Sequence, residues 1–188
     1  MTKPRLILGL TGRAGAGKTT VARILEDEFA FVELTFADPI VNMIGALFAD
    51  ADIDGAWMIE RDLKEQPTTL GFSYRQLAQS LGTEWGRQLS PDFWLRVLAT
   101  RLDAPHLATE NIVISDVRFP NEAAFVADRG GSVVRVLRNV APVRGHVSEA
   151  HTDALPVTTE LLNFGSHATL VDQVDRMVAT FRAQKARA

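Results

Sequence analysis

The chain contains no cysteine among its 188 residues. Disulfides and thiolate metal sites are therefore excluded, which suits a reducing compartment. It has no excess of positive charge. The formal net charge is −3, so no global basic field argues for a DNA or RNA partner, and an anionic small molecule needs only a local basic pocket. No apolar run approaches the length of a membrane span, and the amino end, Met1-Thr2-Lys3-Pro4-Arg5, has no signal-like hydrophobic stretch. There is no internal repeat and no low-complexity tract. No Asn-Lys-x-Asp sequence is present to read guanine, and no G-x-S-x-G nucleophile elbow accompanies His146, Ser148 and Glu149. Histidines and carboxylates show no metal-ligand spacing. What remains is ordinary for a soluble domain: 46% hydrophobic and 23% charged residues, enough chain for one core.

Against these absences stands one complete motif. Gly12-Arg13-Ala14-Gly15-Ala16-Gly17-Lys18-Thr19 matches G-x-x-x-x-G-K-[ST]. An apolar run, Leu6–Leu10, precedes it, and a helix-like stretch from Thr20 follows. Strand, glycine loop and helix is the order that phosphate binding requires. Glycines let the backbone curl so that N–H groups meet phosphate oxygens, and the helix amino end adds partial positive charge. Residues Gly12 to Thr20, including Ala14, Gly15, Ala16 and Gly17, are the candidate triphosphate cradle. Lys18 is the candidate catalytic cation at the β- and γ-phosphates, and Thr19 a candidate Mg²⁺ ligand.

The remaining pattern predicts strands at 6–11, 31–36, 112–115, 132–137 and 160–163. Helices are predicted at 19–28, 38–48, 73–87, 90–102, 120–129 and 168–185, with a short helix around 57–64. Asp38 is read as an N-cap with Pro39 in the first turn, and Ser73 and Gln76 as a capping box. Alternation of strand and helix predicts an α/β fold with a mainly parallel five-stranded sheet and helices on both faces. Residues 38–102 interrupt the alternation as a helical insertion suited to binding an acceptor. Residues 139–156, with Pro142, Gly145 and Pro156, read as a lid-like loop. No linker is long enough for a second domain, so 1–188 is read as a single domain.

Other candidates follow from position. Asp116 closes the strand 112–115 at its carboxyl edge, where open parallel sheets bind ligands, and is a second candidate Mg²⁺ ligand; a turn aspartate is the plain alternative. Arg118 is a candidate cation for the moving phosphoryl group, or a surface arginine paired with Glu122. Arg13 lies over the phosphates or faces solvent. Asp38 meets a substrate hydroxyl or caps its helix. Arg75 and Arg87 lie within roughly 120° of one another on an ideal helix, with Glu84 between them to pair with either. Trp85, Phe93 and Trp94 read as core or as base-stacking platforms. Arg138 and Arg144 flank the lid-like loop, where arginines can close over a triphosphate.

Several blocks together carry a resemblance: Phe36-Ala37-Asp38-Pro39-Ile40, Arg75-Gln76-Leu77, Leu81-Gly82-Thr83-Glu84 with Arg87, Asp92-Phe93-Trp94, Ile114-Ser115-Asp116-Val117-Arg118-Phe119-Pro120-Asn121-Glu122 and His146-Val147-Ser148-Glu149. With the phosphate loop, they resemble the deoxynucleoside monophosphate kinases of tailed bacteriophages and related bacterial genes, over about Leu6 to Val178. The resemblance implies a three-layer P-loop NTPase fold and transfer of the γ-phosphoryl of ATP, with Mg²⁺, to a deoxynucleoside 5′-monophosphate. By motif match, Lys18, Thr19 and the loop glycines hold ATP, while Asp38, Arg75, Glu84 and Arg87 fall in the acceptor pocket. Trp94 belongs to a matched block and joins that acceptor set. Arg118 comes near the reaction centre. From position in the chain, Arg13 joins Lys18 and Arg118 as a candidate catalytic residue, and Arg138 is a candidate ATP contact. The stretch Val41-Asn42-Met43 lacks the lysine the resemblance implies there. A homodimer in the cytoplasm, the host's for a phage gene, is compatible with the resemblance. No nucleic-acid polymer and no membrane are expected as partners. A kinase for another phosphorylated metabolite, such as phosphomevalonate or dephospho-coenzyme A, and a nonenzymatic ATP-binding protein are the competing readings.

Overall fold

The computed structural model of the protein describes residues 5–139 and 152–187. Arg144, His146, Ser148, Glu149 and most of the predicted lid-like loop lie outside these residues. The chain divides into two compact units, one formed by Met1–Thr35 with Arg101–Ala188, the other by Phe36–Thr100.

The first unit carries five strands: β1 (Ile7–Thr11), β2 (Phe31–Leu34), β3 (Asn111–Ile114), β4 (Ser132–Leu137) and β5 (Thr159–Leu162). They form one sheet in the order β2-β3-β1-β4-β5, and every pairing is parallel. The glycine-loop strand therefore lies at the centre, with Gly9 opposite Ile114 on one side and Val133 on the other. All five residues of β1 are buried, as expected of a strand covered on both faces.

The period-2 alternation of a strand divides the core. Leu8 and Leu10 join a cluster with Val21, Ala22 and Leu25 of helix α1 (Lys18–Phe29) and with residues from the closing helix. On the opposite face, a Cβ at Gly9 would lie 2.9 Å from Val117 and 3.0 Å from Val126. Glycine thus lets a helix, Pro120–Asp128, settle directly on the strand.

The second unit is helical: α2 (Asp38–Asp50), α3 (Ala56–Ile59), α4 (Tyr74–Gln79), a π-helical turn (Ser80–Gly86), α5 (Arg87–Leu89) and most of α6 (Phe93–Leu102). Ala37 is the N-cap of α2, so Asp38 stands inside the first turn rather than capping it. The Ser73 capping box forms in full: Gln76 N–H donates to Ser73 Oγ at 3.2 Å, and Ser73 N–H donates to Gln76 Oε1 at 2.9 Å. The predicted helix through Arg87 forms, though not with uniform α geometry. The π-helical turn widens the backbone spiral at Ser80–Gly86. The angle expected between Arg75 and Arg87 rests on uniform α geometry and does not carry across it.

The chain then returns to the sheet unit through β3 and α7 (Pro120–Asp128), and closes with α8 (His167–Lys185). Ser166 caps α8 by accepting from Thr169 N–H. Leu170, Val174, Met177, Val178 and Phe181 form its buried stripe at helical spacing. Each such side chain contributes about 1.5–3 kcal/mol of hydrophobic stabilisation.

Candidate active site

Three glycines make the loop after β1. Gly12, Gly15 and Gly17 have φ values of 129°, 77° and 101°, a left-handed region that side chains disfavour. Ala16 N–H donates to Arg13 O at 3.1 Å and closes a turn. Gly17 is the N-cap of α1, and Val21 N–H makes the first helical bond to its carbonyl. The main-chain N–H groups of Lys18, Thr19 and Thr20 fall in the first turn, where a helix offers no internal acceptor. Lys18 Nζ folds over the loop, donating to Gly12 O at 2.7 Å and Arg13 O at 3.1 Å. A lysine held on its own loop carbonyls sits within the cradle that an anion would enter. Ala14, Thr19 and Thr20 are exposed, and Ala16 is buried.

Arg13 points its guanidinium at Asp153, with Nε at 3.1 Å and Nη2 at 2.5 Å from Oδ2. Both partners are half exposed, so this pair contributes little stability. They line a cavity of about 320 Å³ together with Gly12, Ala16, Arg135 and Arg138. The loop, Arg13 and Arg138 are thus brought together. In that cavity Arg135 donates to Glu160 Oε1 of β5 at 2.9 Å and to Leu155 O, ahead of that strand, at 2.7 Å.

Asp116 and Arg118 follow β3 on the same sheet edge. Val117 N–H donates to Leu10 O at 3.1 Å, tying this segment to the end of β1. Asp116 is half-buried there and Arg118 is exposed. Glu122 does not pair with the Arg118 guanidinium. Its Oε2 accepts the main-chain N–H groups of Arg118 at 2.7 Å and Phe119 at 3.1 Å. A buried carboxylate thereby caps α7 where Phe119 has no acceptor side chain, and it fixes the turn that presents Arg118. Pro120 at the first helical position, with Glu122 two residues on, was the available sequence signal.

In the helical unit Arg75 forms an ion pair with Glu65, not with Glu84. Glu84 Oε2 accepts from Ser80 Oγ at 2.9 Å. Arg87 is half-buried, with Nη1 3.4 Å from Pro91 O. Burial raises the Tyr74 phenol above its usual range, opposed by the Arg75 charge, so Tyr74 stays neutral at working pH. Trp94 is a core side chain: it is 4% exposed and its Nε1 donates to Gly82 O at 2.8 Å. Its ring sits on Gly86, where any Cβ would approach within 2.5 Å. Trp85 and Phe93 pack around it edge-on or tilted, and Trp85 is partly exposed.

Sequence reading missed Asn163. Its Nδ2 donates to Ala16 O at 2.9 Å, across the sheet edge into the phosphate loop. The available signal was a polar residue at the carboxyl end of a strand, the same kind that singled out Asp116.

A central parallel strand, a lysine-bearing glycine loop and a helix springing from it define a P-loop phosphate-binding protein. Comparison with solved structures agrees on the fold. A sugar kinase from Janibacter sp. HTCC2649 superposes with a TM-score of 0.50 at 14% identity, over 94% of this chain and 95% of that one. The family model described as deoxynucleotide monophosphate kinase matches residues 58–160. A putative deoxynucleotide monophosphate kinase of Acanthamoeba polyphaga mimivirus is 33% identical over 164 residues, 77% of this chain and 80% of that protein. A deoxynucleoside-5′-monophosphate kinase of Escherichia phage T5 is 31% identical over 65% of this chain and 52% of its own length. The chain belongs to the deoxynucleotide monophosphate kinase family and is a phosphotransferase.

Proposed function

We propose that the protein moves the γ-phosphoryl group of ATP to a deoxynucleoside 5′-monophosphate, with Mg²⁺. The observation that carries this reading is the lysine-held glycine loop at the head of the central strand, in a chain of this family. An oxygen of the acceptor phosphate bonds to the γ-phosphorus as the bond to the β,γ-bridging oxygen breaks, and ADP leaves. The acceptor oxygen is already ionised, so no general base is assigned. The work of the protein is positioning and charge neutralisation.

In this reading the N–H groups from Gly12 to Thr20 hold the triphosphate, and Lys18 leaves its loop carbonyls for the β- and γ-oxygens. Arg118 and Arg13 meet the charge that develops on the moving group, which requires Arg13 to leave Asp153. Arg138 borders the ATP side. The donor set fits a hard cation: Thr19 offers a hydroxyl and Asp116 a carboxylate, both oxygen ligands. Mg²⁺, when bound there, neutralises phosphate charge. Asp38, Arg75, Glu84 and Arg87 form the acceptor set, with Trp94 supporting it from the core. The whole chain is read as one kinase domain with 38–102 as its acceptor-binding insertion and 139–156 as its lid. Its partners are small molecules in the cytoplasm, and a homodimer is compatible with this reading.

The test is an ADP-release assay with ATP and Mg²⁺ against dTMP, dGMP, dCMP, dAMP, 5-hydroxymethyl-dCMP and their ribose counterparts. Turnover with one or more deoxynucleotides is expected. No turnover above the background ATPase rate with any nucleotide overturns the reading and points to another phosphorylated acceptor. Within that assay, Arg87→Ala is expected to raise the acceptor KM by roughly 10–100-fold, the cost of a lost charged hydrogen bond, while the ATP KM stays unchanged. An unaltered acceptor KM and kcat would remove Arg87 from the site.

A further inference from the structure

Asn163 stands one residue beyond β5, the edge strand of the sheet. Its main-chain N–H donates to Leu137 O at 2.7 Å, which extends the β4–β5 ladder by one bond. Its side-chain amide donates to Ala16 O at 2.9 Å, joining positions 147 residues apart. The residue before it is clamped as well. Gln173 of α8 accepts from Leu162 N–H at 3.0 Å and donates to Leu162 O at 3.0 Å. One glutamine amide thereby supplies both bonds that a further strand would have made to this edge residue.

The Ala16 carbonyl shares a peptide plane with the N–H of Gly17. In a trans peptide the C=O and N–H of one plane point in opposite directions, and the plane is rigid. Holding the Ala16 oxygen therefore fixes where the Gly17 N–H points. That N–H belongs to the glycine at which the loop turns into α1. The fit is steric too: a Cβ at Gly17 would lie 2.2 Å from Asn163 Nδ2. Gly17 is bare partly so that this amide can approach.

We propose that Asn163 is a positioning residue for phosphoryl transfer, fixing the Ala16–Gly17 peptide plane and so aiming the Gly17 N–H at the triphosphate. The proposal rests on the reading of this loop as the ATP site. Because the plane is set before ligand arrives, the loop orders less on binding, which favours affinity. Gln173 acts one step further out, through Leu162.

Two variants test this. Asn163→Ala removes the amide, and Asn163→Asp keeps its shape but places an acceptor oxygen where the donor was. Both are expected to weaken ADP binding, measured calorimetrically, by about tenfold, the worth of one well-placed hydrogen bond. The ATP KM should rise in step. The acceptor KM should stay within about twofold of the parent, and the melting curve should remain cooperative. Gln173→Ala should shift ADP affinity in the same direction by less. A role in stability alone would lower the melting temperature and the active fraction without moving ADP affinity, and that result overturns the proposal. So does equal weakening toward ATP and acceptor. Lys18→Ala, run in parallel, separates the two failures. If it too keeps full ADP affinity and turnover, the ATP-site reading has failed. If only the Asn163 variants do, the positioning role alone has failed.

Discussion

Replacing Lys18 by alanine is expected to lower kcat by roughly 10²–10³-fold or more, about 3–4 kcal/mol of transition-state stabilisation. The ammonium is held on the loop's own carbonyls, Gly12 O and Arg13 O. Those two bonds hold it where a triphosphate would accept it. In phosphoryl transfer the protein does little covalent work, so removing a preorganised charge acts on the barrier directly. The fold should survive. Lys18 is only half-buried, and losing two loop bonds costs about 1–2 kcal/mol. The check is single-turnover phosphoryl transfer beside a thermal melt. Full activity with a normal melt would refute the assignment of the loop. A collapsed melt would turn the lysine into a structural residue.

Gly12→Ala is the second large effect, and it acts through the fold. A Cβ there would lie 2.4 Å from the Val136 carbonyl oxygen, in a residue with φ of +129°. The obstacle is main chain of β4, an interior strand paired on both sides, not a flexible side-chain tip. Left-handed strain and overpacking each cost on the order of 1–3 kcal/mol. Together they should lower Tm by roughly 10 °C and abolish nucleotide binding. Gly55→Ala is the control, since a Cβ there meets nothing within 4 Å, and it should change stability by about 0.5 kcal/mol or less. Differential scanning calorimetry of the three proteins decides the matter. A Gly12→Ala protein that melts like the parent would show that the loop relaxes freely.

Both effects concern the same eight residues, yet they were legible to different degrees. The motif alone singled out Lys18, because a lysine after four variable residues and a glycine has a mechanism attached. It also singled out Gly12 as a turn residue. What stands against Gly12 is Val136, and that contact exists only because β4 pairs beside β1. The strand order is not written in the strands themselves. All five read as short apolar runs, and loop closure between them is nearly indifferent to sequence.

The helical unit shows the opposite limit. The Ser73 capping box was readable because both partners lie within one turn. Spacing on a uniform helix offers Glu84 as a partner for either Arg75 or Arg87. A π-helical turn and Glu65 intervened instead. Local spacing cannot foresee a partner ten residues earlier, beyond a turn. Nor does it foresee that Gly86 clears room for Trp94.

Neighbouring residues were enough to establish the strand–loop–helix unit, the parallel α/β class and the family, and to single out Lys18 and Thr19 as candidates, because those readings depend on positions adjacent in the chain. The tertiary structure decided the order β2-β3-β1-β4-β5, the pairing of Arg13 with Asp153, the capping of the Arg118 turn by Glu122, and the reach of Asn163 into the loop. The reason is physical. Local motifs are set by backbone geometry over one or two turns, whereas the side chains that hold a site in place are delivered by packing distant elements together, and one sequence read along its length carries no distance between them.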